Sequence, residues 1–351
     1  MLLYIHIPFC DSKCSYCAFN SYVDKFHLKQ EYMDALLVQL KYELKRFEVT
    51  KNSIESIFIG GGTPSTIPPK LYVPLFEMIK PFLKADVEIT TEANPNSATY
   101  EWLDGMKKLG LNRISFGVQS FDDKKLKLLN RSHNSQQAIQ AIKDAKDVGF
   151  KNISLDIIYA TLGDTKELLD HDLKTAFLLP INHISAYALT IEEATPFEKK
   201  PQMSDEKLDL TNYMFESISN HGFEQYEISN FGLYKSVHNL GYWRYKDYIG
   251  LGSGAVGKLD LERFYPTIVI EEYIKNPLDI RIENLDDEDK KIEQIFLGFR
   301  SCVGVNERIF TKNELIKADL LVKEKKLIKK ESYFYNVDYL LADEIVLYLT
   351  S

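Results

Sequence analysis

Six short runs rich in β-branched and aromatic residues alternate with longer amphipathic stretches over roughly the first 220 positions, which restricts the folds open to this chain. The runs are 3–7, 56–59, 87–91, 113–116, 153–158 and 183–189. Between them the spacing predicts helices over 29–47, 71–83, 135–148 and 168–177. The first of these is apolar at Tyr32, Leu36, Leu37, Leu40 and Leu44, one face of a 3.6-residue period. Strand–helix alternation implies βαβ units and a parallel sheet, hence an α/β fold, either an open doubly wound sheet or a partial barrel. Polar and glycine-rich residues gather just after the runs, at Gly60-Gly61-Gly62-Thr63-Pro64, Glu92 and Gln119. Such folds place their chemistry there, at the carboxyl ends of the strands.

The pattern changes after about Asn230. Residues 231–285 are rich in Gly, Tyr and turn formers and read as an irregular connecting segment, so 1–230 is expected to form the main domain. From 286 to 351 helical patterns return over 293–299 and 312–323. A basic turn at Lys325, Lys326, Lys329 and Lys330 and strand-like runs at 333–337 and 344–349 follow. This order suggests a small winged-helix-like α+β module. Charge restricts the partners: 43 Lys plus Arg against 51 Asp plus Glu leave a net charge of −8, contrary to a general phosphate-backbone binder. No nucleic-acid partner is expected. An RNA-binding modifier that uses the four lysines is the weaker alternative. No run has the roughly 18 apolar residues of a transmembrane helix. The apolar start, interrupted by His6 and Pro8 and lacking a basic leader, does not read as a signal peptide, which points to the cytoplasm.

Three of the four cysteines, Cys10, Cys14 and Cys17, fall within eight residues. In a reducing compartment so tight a trio reads as a metal site rather than a disulfide framework. Structural zinc takes four ligands, and here His6 or a distant side chain would have to complete it. Three thiolates can instead hold three irons of a [4Fe–4S] cluster and leave the fourth iron open for a small molecule. Cys302 has no neighbour in sequence and reads as a small buried apolar residue.

Cys-x3-Cys-x2-Cys after a first strand, with Tyr16 before the third cysteine, resembles the radical S-adenosylmethionine (SAM) superfamily. Tyr4-Ile5-His6-Ile7-Pro8-Phe9-Cys10 is similar, more narrowly, to oxygen-independent coproporphyrinogen III oxidases and the related HemW-type heme chaperones. The resemblance implies a partial (β/α)6 barrel, a [4Fe–4S] cluster on Cys10, Cys14 and Cys17, and SAM on its open iron. It further implies SAM contacts from Tyr4, Tyr16, Gly61, Gly62, Thr63, Glu92, Gln119, Arg131 and Asp156. Among these, Gly61, Gly62 and Glu92 would meet the amine, Arg131 the carboxylate and Asp156 the ribose hydroxyls. A lone acid inside the apolar run 153–158 is costly unless something satisfies it, which agrees with that role for Asp156. One departure stands out. The family usually continues with Gly-Leu-Pro after this acid, whereas this chain reads Tyr159-Ala160-Thr161-Leu162-Gly163, so contacts from that loop are not carried over.

Two features separate the relatives. The oxidases carry a further cysteine two residues after the third, where this chain has Phe19, and an extension before the first strand that is not expected here. His238-Asn239-Leu240-Gly241-Tyr242-Trp243 resembles the HNxxYW motif of the heme chaperones, which implies heme on His238 beside Tyr242 and Trp243. A neutral imidazole is a common axial ligand of heme iron. The resemblance thus favours a chaperone that transfers heme to apo-hemoproteins, membrane-associated respiratory ones among them. A radical SAM oxidoreductase of the coproporphyrinogen dehydrogenase type is the alternative.

Overall fold

The computed structural model describes residues 1–351. Six strands, β1 (Leu2–Ile7), β2 (Ile54–Gly61), β3 (Leu83–Ala93), β4 (Arg113–Gln119), β5 (Asn152–Tyr159) and β6 (His183–Ala188), pair in parallel in sequence order. β1 and β6 do not pair, so the barrel stays open, as a partial (β/α)6 fold requires. Apart from the exposed start of β3 at Lys84, Ala85 and Asp86, most strand residues are buried because helices cover the sheet, which explains their apolar runs. Helix ends follow local chemistry. Asn134 and Gln137 form a reciprocal capping box at the start of Ser135–Val148, and Gly149, at φ 100°, ends that helix. The helix expected to reach residue 83 stops at Ile79, because Pro81 cannot continue it.

The stretch 231–285 differs from its expected irregularity. After β7 (Glu224–Gln225) and β8 (Asn230–Gly232), which extend the sheet beyond β6, comes a short helix, Val237–Trp243. β9 (Tyr248–Leu251) then crosses to the opposite edge and pairs in parallel with β1. β10 (Gly257–Leu259), β11 (Glu262–Pro266) and β12 (Ile280–Asn284) complete a 12-stranded sheet.

A separate core of 11 residues, from Ile295 to Leu349, lies in the C-terminal part. It is built from helix Asp287–Phe299, β13 (Val305–Asn306), helix Lys312–Lys323, the hairpin β14 (Leu327–Lys330) and β15 (Tyr333–Asn336), and a last helix, Ala342–Thr350. That helix replaces the strand expected over 344–349. Its buried residues Ala342, Ile345, Val346 and Leu349 are spaced by three and four, a helical stripe in a run too short to show its period unaided. The basic turn is partly neutralised, with Lys329 paired to Glu307 at 2.8 Å and Lys326 to Glu324 at 3.4 Å. No helix is long and apolar enough to cross a membrane.

Candidate functional site

The carboxyl ends of β1 to β6 surround a cavity of about 550 Å3. Cys10, Cys14 and Cys17 line it from the loop after β1, Gly61, Gly62 and Thr63 from the end of β2, and Glu92 from β3. Gln119, Arg131, Asp156 and Tyr16 complete the set that the sequence singles out. Each is placed by identifiable bonds. His6 on β1 receives the Tyr4 hydroxyl at Nδ1 (3.0 Å), and its Nε2 meets the Asn20 carbonyl at 2.8 Å, which ties the end of the cysteine loop to the strand. The loop is further held by Cys10 N on Tyr22 O (3.0 Å) and Asn130 Nδ2 on Lys13 O (2.8 Å). Glycine is required at 61, where φ is 106° and a Cβ would fall 2.5 Å from the His6 ring. The next two amides return to the first loop: Gly62 N donates to Ile7 O and Thr63 N to Phe9 O.

Around the sulfurs the donors are specific. Thr63 Oγ1 donates to Cys10 Sγ at 3.3 Å and Arg131 Nη1 to Cys14 Sγ at 3.1 Å. Burial raises the pKa of the Cys10 and Cys17 thiols, so binding a metal there must release protons. The three sulfurs line one cavity. Structural zinc would need a fourth protein ligand beside them. His6 is occupied by Tyr4 and Asn20, and Cys302 lies elsewhere, its amide on Tyr226 O. The donor set therefore fits a cluster with three protein ligands.

Opposite the sulfurs the cavity is acidic. Glu92 Oε2 accepts from Gly61 N at 3.1 Å, and burial, reinforced by the charge of Asp156, pushes the Glu92 carboxyl up to about 8. Burial also raises Asp156, against hydrogen bonds from Ser185 and Ser115, the latter at 3.2 Å. Arg131 Nη2 donates to Asn94 Oδ1 (2.7 Å) and Gly117 O (2.6 Å), while its Nε is buried without a partner. Gln119 holds a left-handed backbone, φ 70°, uncommon for a side chain of this size, and it lines the cavity. It does not cap the following helix, which is Asp123–Leu128 and is capped by Asp122. Two half-buried acids and an arginine with a free Nε suit a molecule that carries an amino group, a carboxylate and hydroxyls.

The second set is tethered to the barrel from below. Ser236 opens helix Val237–Trp243, and Glu88 of β3 accepts four hydrogen bonds there, from Ser236 Oγ, Val237 N, His238 N and the Tyr234 hydroxyl. His238 is 1% exposed; its Nδ1 meets Ser56 Oγ of β2 at 2.9 Å and its Nε2 has no partner. Burial, aided by the Arg113 charge, holds the pKa of its imidazole down to about 3, so the ring is neutral. Tyr242 lies one turn on, edge to His238 at 4.7 Å and edge to Tyr248 at 4.8 Å.

Residues 4–176 match the Radical SAM superfamily. The heme chaperone HemW of Bacillus subtilis is 33% identical over 88% of this chain and 85% of its own. HemW of Escherichia coli is 38% identical over 73% and 70%. The solved structure of coproporphyrinogen III oxidase HemN from Escherichia coli, a radical SAM enzyme, superposes with a TM-score of 0.81 at 19% identity, over 99% and 89%. The chain belongs to the HemW family of radical SAM proteins.

Membership of that superfamily implies a [4Fe–4S] cluster and SAM. Eight of the nine residues expected to contact SAM share the cavity with the cysteines. Tyr4 does not: its ring stacks on Phe58 and borders a second, larger cavity together with Tyr242. Of the heme set only Tyr242 lines that larger cavity; His238 is buried behind it, ring to ring at 4.7 Å, and Trp243 does not line it. The loop that departs from the family pattern points away, since Asp164 there pairs with buried Lys125 at 2.8 Å. Sequence reasoning missed Asn94 and Gly117, which orient Arg131. Asn94 stands two residues past Glu92, and that position beyond a strand end was the available signal.

Proposed function

We propose that this member of the HemW family is a cytoplasmic heme chaperone. It carries a [4Fe–4S] cluster on Cys10, Cys14 and Cys17, binds SAM beside it, takes heme on His238 and passes it to apo-hemoproteins. Membrane-associated respiratory hemoproteins are candidate recipients. The observation that carries this reading is the His238 imidazole, buried, neutral and unpartnered at Nε2. A ring that donates Nδ1–H to Ser56 presents a lone pair at Nε2, the arrangement typical of histidines that bind metals. Tyr242, whose ring is edge to His238, offers a flat apolar wall to a macrocycle.

In the cluster cavity this chain's own residues would act by binding and orientation. Glu92 would receive the SAM amine, Arg131 the carboxylate through its free Nε, and Asp156 the ribose hydroxyls. Tyr16, Gly61, Gly62, Thr63 and Gln119 would wall the site. A bound cluster with three protein ligands supplies one open iron for the amine and carboxylate of SAM.

Heme titration tests the axial ligand. The His238→Ala variant is expected to lose the wild-type Soret shift and to bind hemin at least about tenfold more weakly, with its circular dichroism unchanged. Equal affinity and an identical Soret band in the two folded proteins would remove His238 as ligand.

A further inference from the structure

A cavity of about 800 Å3, within the size range of small-molecule sites, separates the outer strands of the sheet from the C-terminal part. Tyr4, Tyr242 and Tyr248 form its sheet-side wall and Phe296 of helix Asp287–Phe299 the opposite one, with Phe19 at the edge shared with the cluster cavity. Among the 17 lining residues, Lys246, Lys258 and Arg263 face a single acid, Glu293. Lys246 and Lys258 are already engaged by Glu55 and Asp247, at 2.6 and 2.7 Å, and those acids do not line the cavity. Arg263 differs: Glu283 lies 4.0 Å away outside the cavity, but its closer partner Glu293 stands inside the cavity with it. Glu293 also accepts the Tyr245 hydroxyl at 2.6 Å, so it keeps a donor if Arg263 turns elsewhere. Aromatic walls with one exchangeable guanidinium–carboxylate pair suit a flat apolar molecule that carries carboxylates.

We propose that this cavity receives the porphyrin plane of the cargo, and that a propionate carboxylate takes the place of Glu293 on Arg263. The proposal rests on the heme reading above but concerns the macrocycle and not the iron. The exchange trades one charge-assisted bond for another, so the loss of Glu293 is compensated at Arg263. It also loosens the contact between β11 and helix Asp287–Phe299, which ties loading of the cavity to the seating of the C-terminal helix.

Metal-free protoporphyrin IX separates this site from the axial ligand, since it offers no iron to His238. Fluorescence titrations of the full chain should show the diacid bound about tenfold more tightly than its dimethyl ester. That preference should vanish in Arg263→Gln and persist in His238→Ala. Glu293→Gln should tighten diacid binding, a change of sign that misfolding cannot mimic. A diacid preference that survives in Arg263→Gln, or no binding of the diacid by the wild type, overturns the proposal. If the preference depends on Arg263 while hemin binding ignores His238, the cavity stands and the axial assignment falls.

Discussion

Glu92→Gln is expected to stabilise the cofactor-free protein at pH 8 and to weaken its SAM binding at the same time. The Glu92 carboxyl is raised from an ordinary 4.5 to about 8, first by burial and then by the charge of Asp156. Below pH 4.5 the group is protonated in both the folded and the unfolded chain, and the fold bears no penalty. Between 4.5 and 8 the unfolded chain releases this proton while the folded one keeps it. Stability therefore falls as pH rises, by about 1.4 kcal/mol per pH unit, until the folded group also titrates. A glutamine does not titrate, so relative to the wild type the variant should gain up to about 4 kcal/mol between pH 5 and pH 8. Urea midpoints at the two pH values measure it, and the difference between the proteins cancels the other buried acids. The N–H groups of a bound SAM amine would hydrogen-bond the Glu92 carboxylate and relieve part of this penalty in the wild type, so equilibrium dialysis at pH 8 should show SAM held at least about tenfold more weakly by the variant. Parallel pH dependences of the two midpoints would show that Glu92 does not carry this penalty.

The trade-off explains which parts of the molecule were legible in the amino-acid sequence. Parallel strands buried on both faces write continuous apolar runs, so β1 to β6 and the helices between them could be placed within a few residues. Asp156 stands out for the opposite reason, as a lone acid inside an apolar run, whereas Glu92 is marked only by its place at a strand end, and burial raises both carboxyls. Elements held by distant partners were hidden. β9 has only four residues and is a strand because β1, far away in sequence, offers it an edge. Helix Val237–Trp243 contains Gly241 and Asn239, poor helix formers, and no periodicity announces it. Tyr4 borders the larger cavity, and its place in the SAM set rests on the first strand's motif alone. Side chains alternate along a strand, however, and position alone does not say which of two cavities a residue borders.

That short helix makes the strongest stability prediction. Seven residues contain too few internal hydrogen bonds to persist alone, and Glu88 supplies what is missing. Its carboxylate, 2% exposed, accepts from two backbone amides and from the side chains of Ser236 and Tyr234. It also brings negative charge to the positive end of the helix. Each Glu88 oxygen accepts from one backbone amide, Oε1 from His238 N and Oε2 from Val237 N, so Glu88→Gln must turn its NH2 group toward one of them and cannot substitute. Truncation to alanine would leave those donors buried without acceptors, beside the Arg113 guanidinium whose charge reaches His238, Tyr226 and Tyr234. Removing one side of such a buried charged network typically costs about 3–5 kcal/mol. Glu88→Ala should lower unfolding free energy by about that amount, and Glu88→Gln by roughly half. Urea denaturation checks the first effect, and a midpoint shift worth under about 1 kcal/mol would show that the helix holds without its cap. Strand β3 also carries Glu92 four residues further on, on the same face, into the cluster cavity. A disturbance at Glu88 should therefore reach both sites: in the folded Glu88→Gln protein, hemin and SAM affinities are expected to fall together, whereas His238→Ala should change hemin alone.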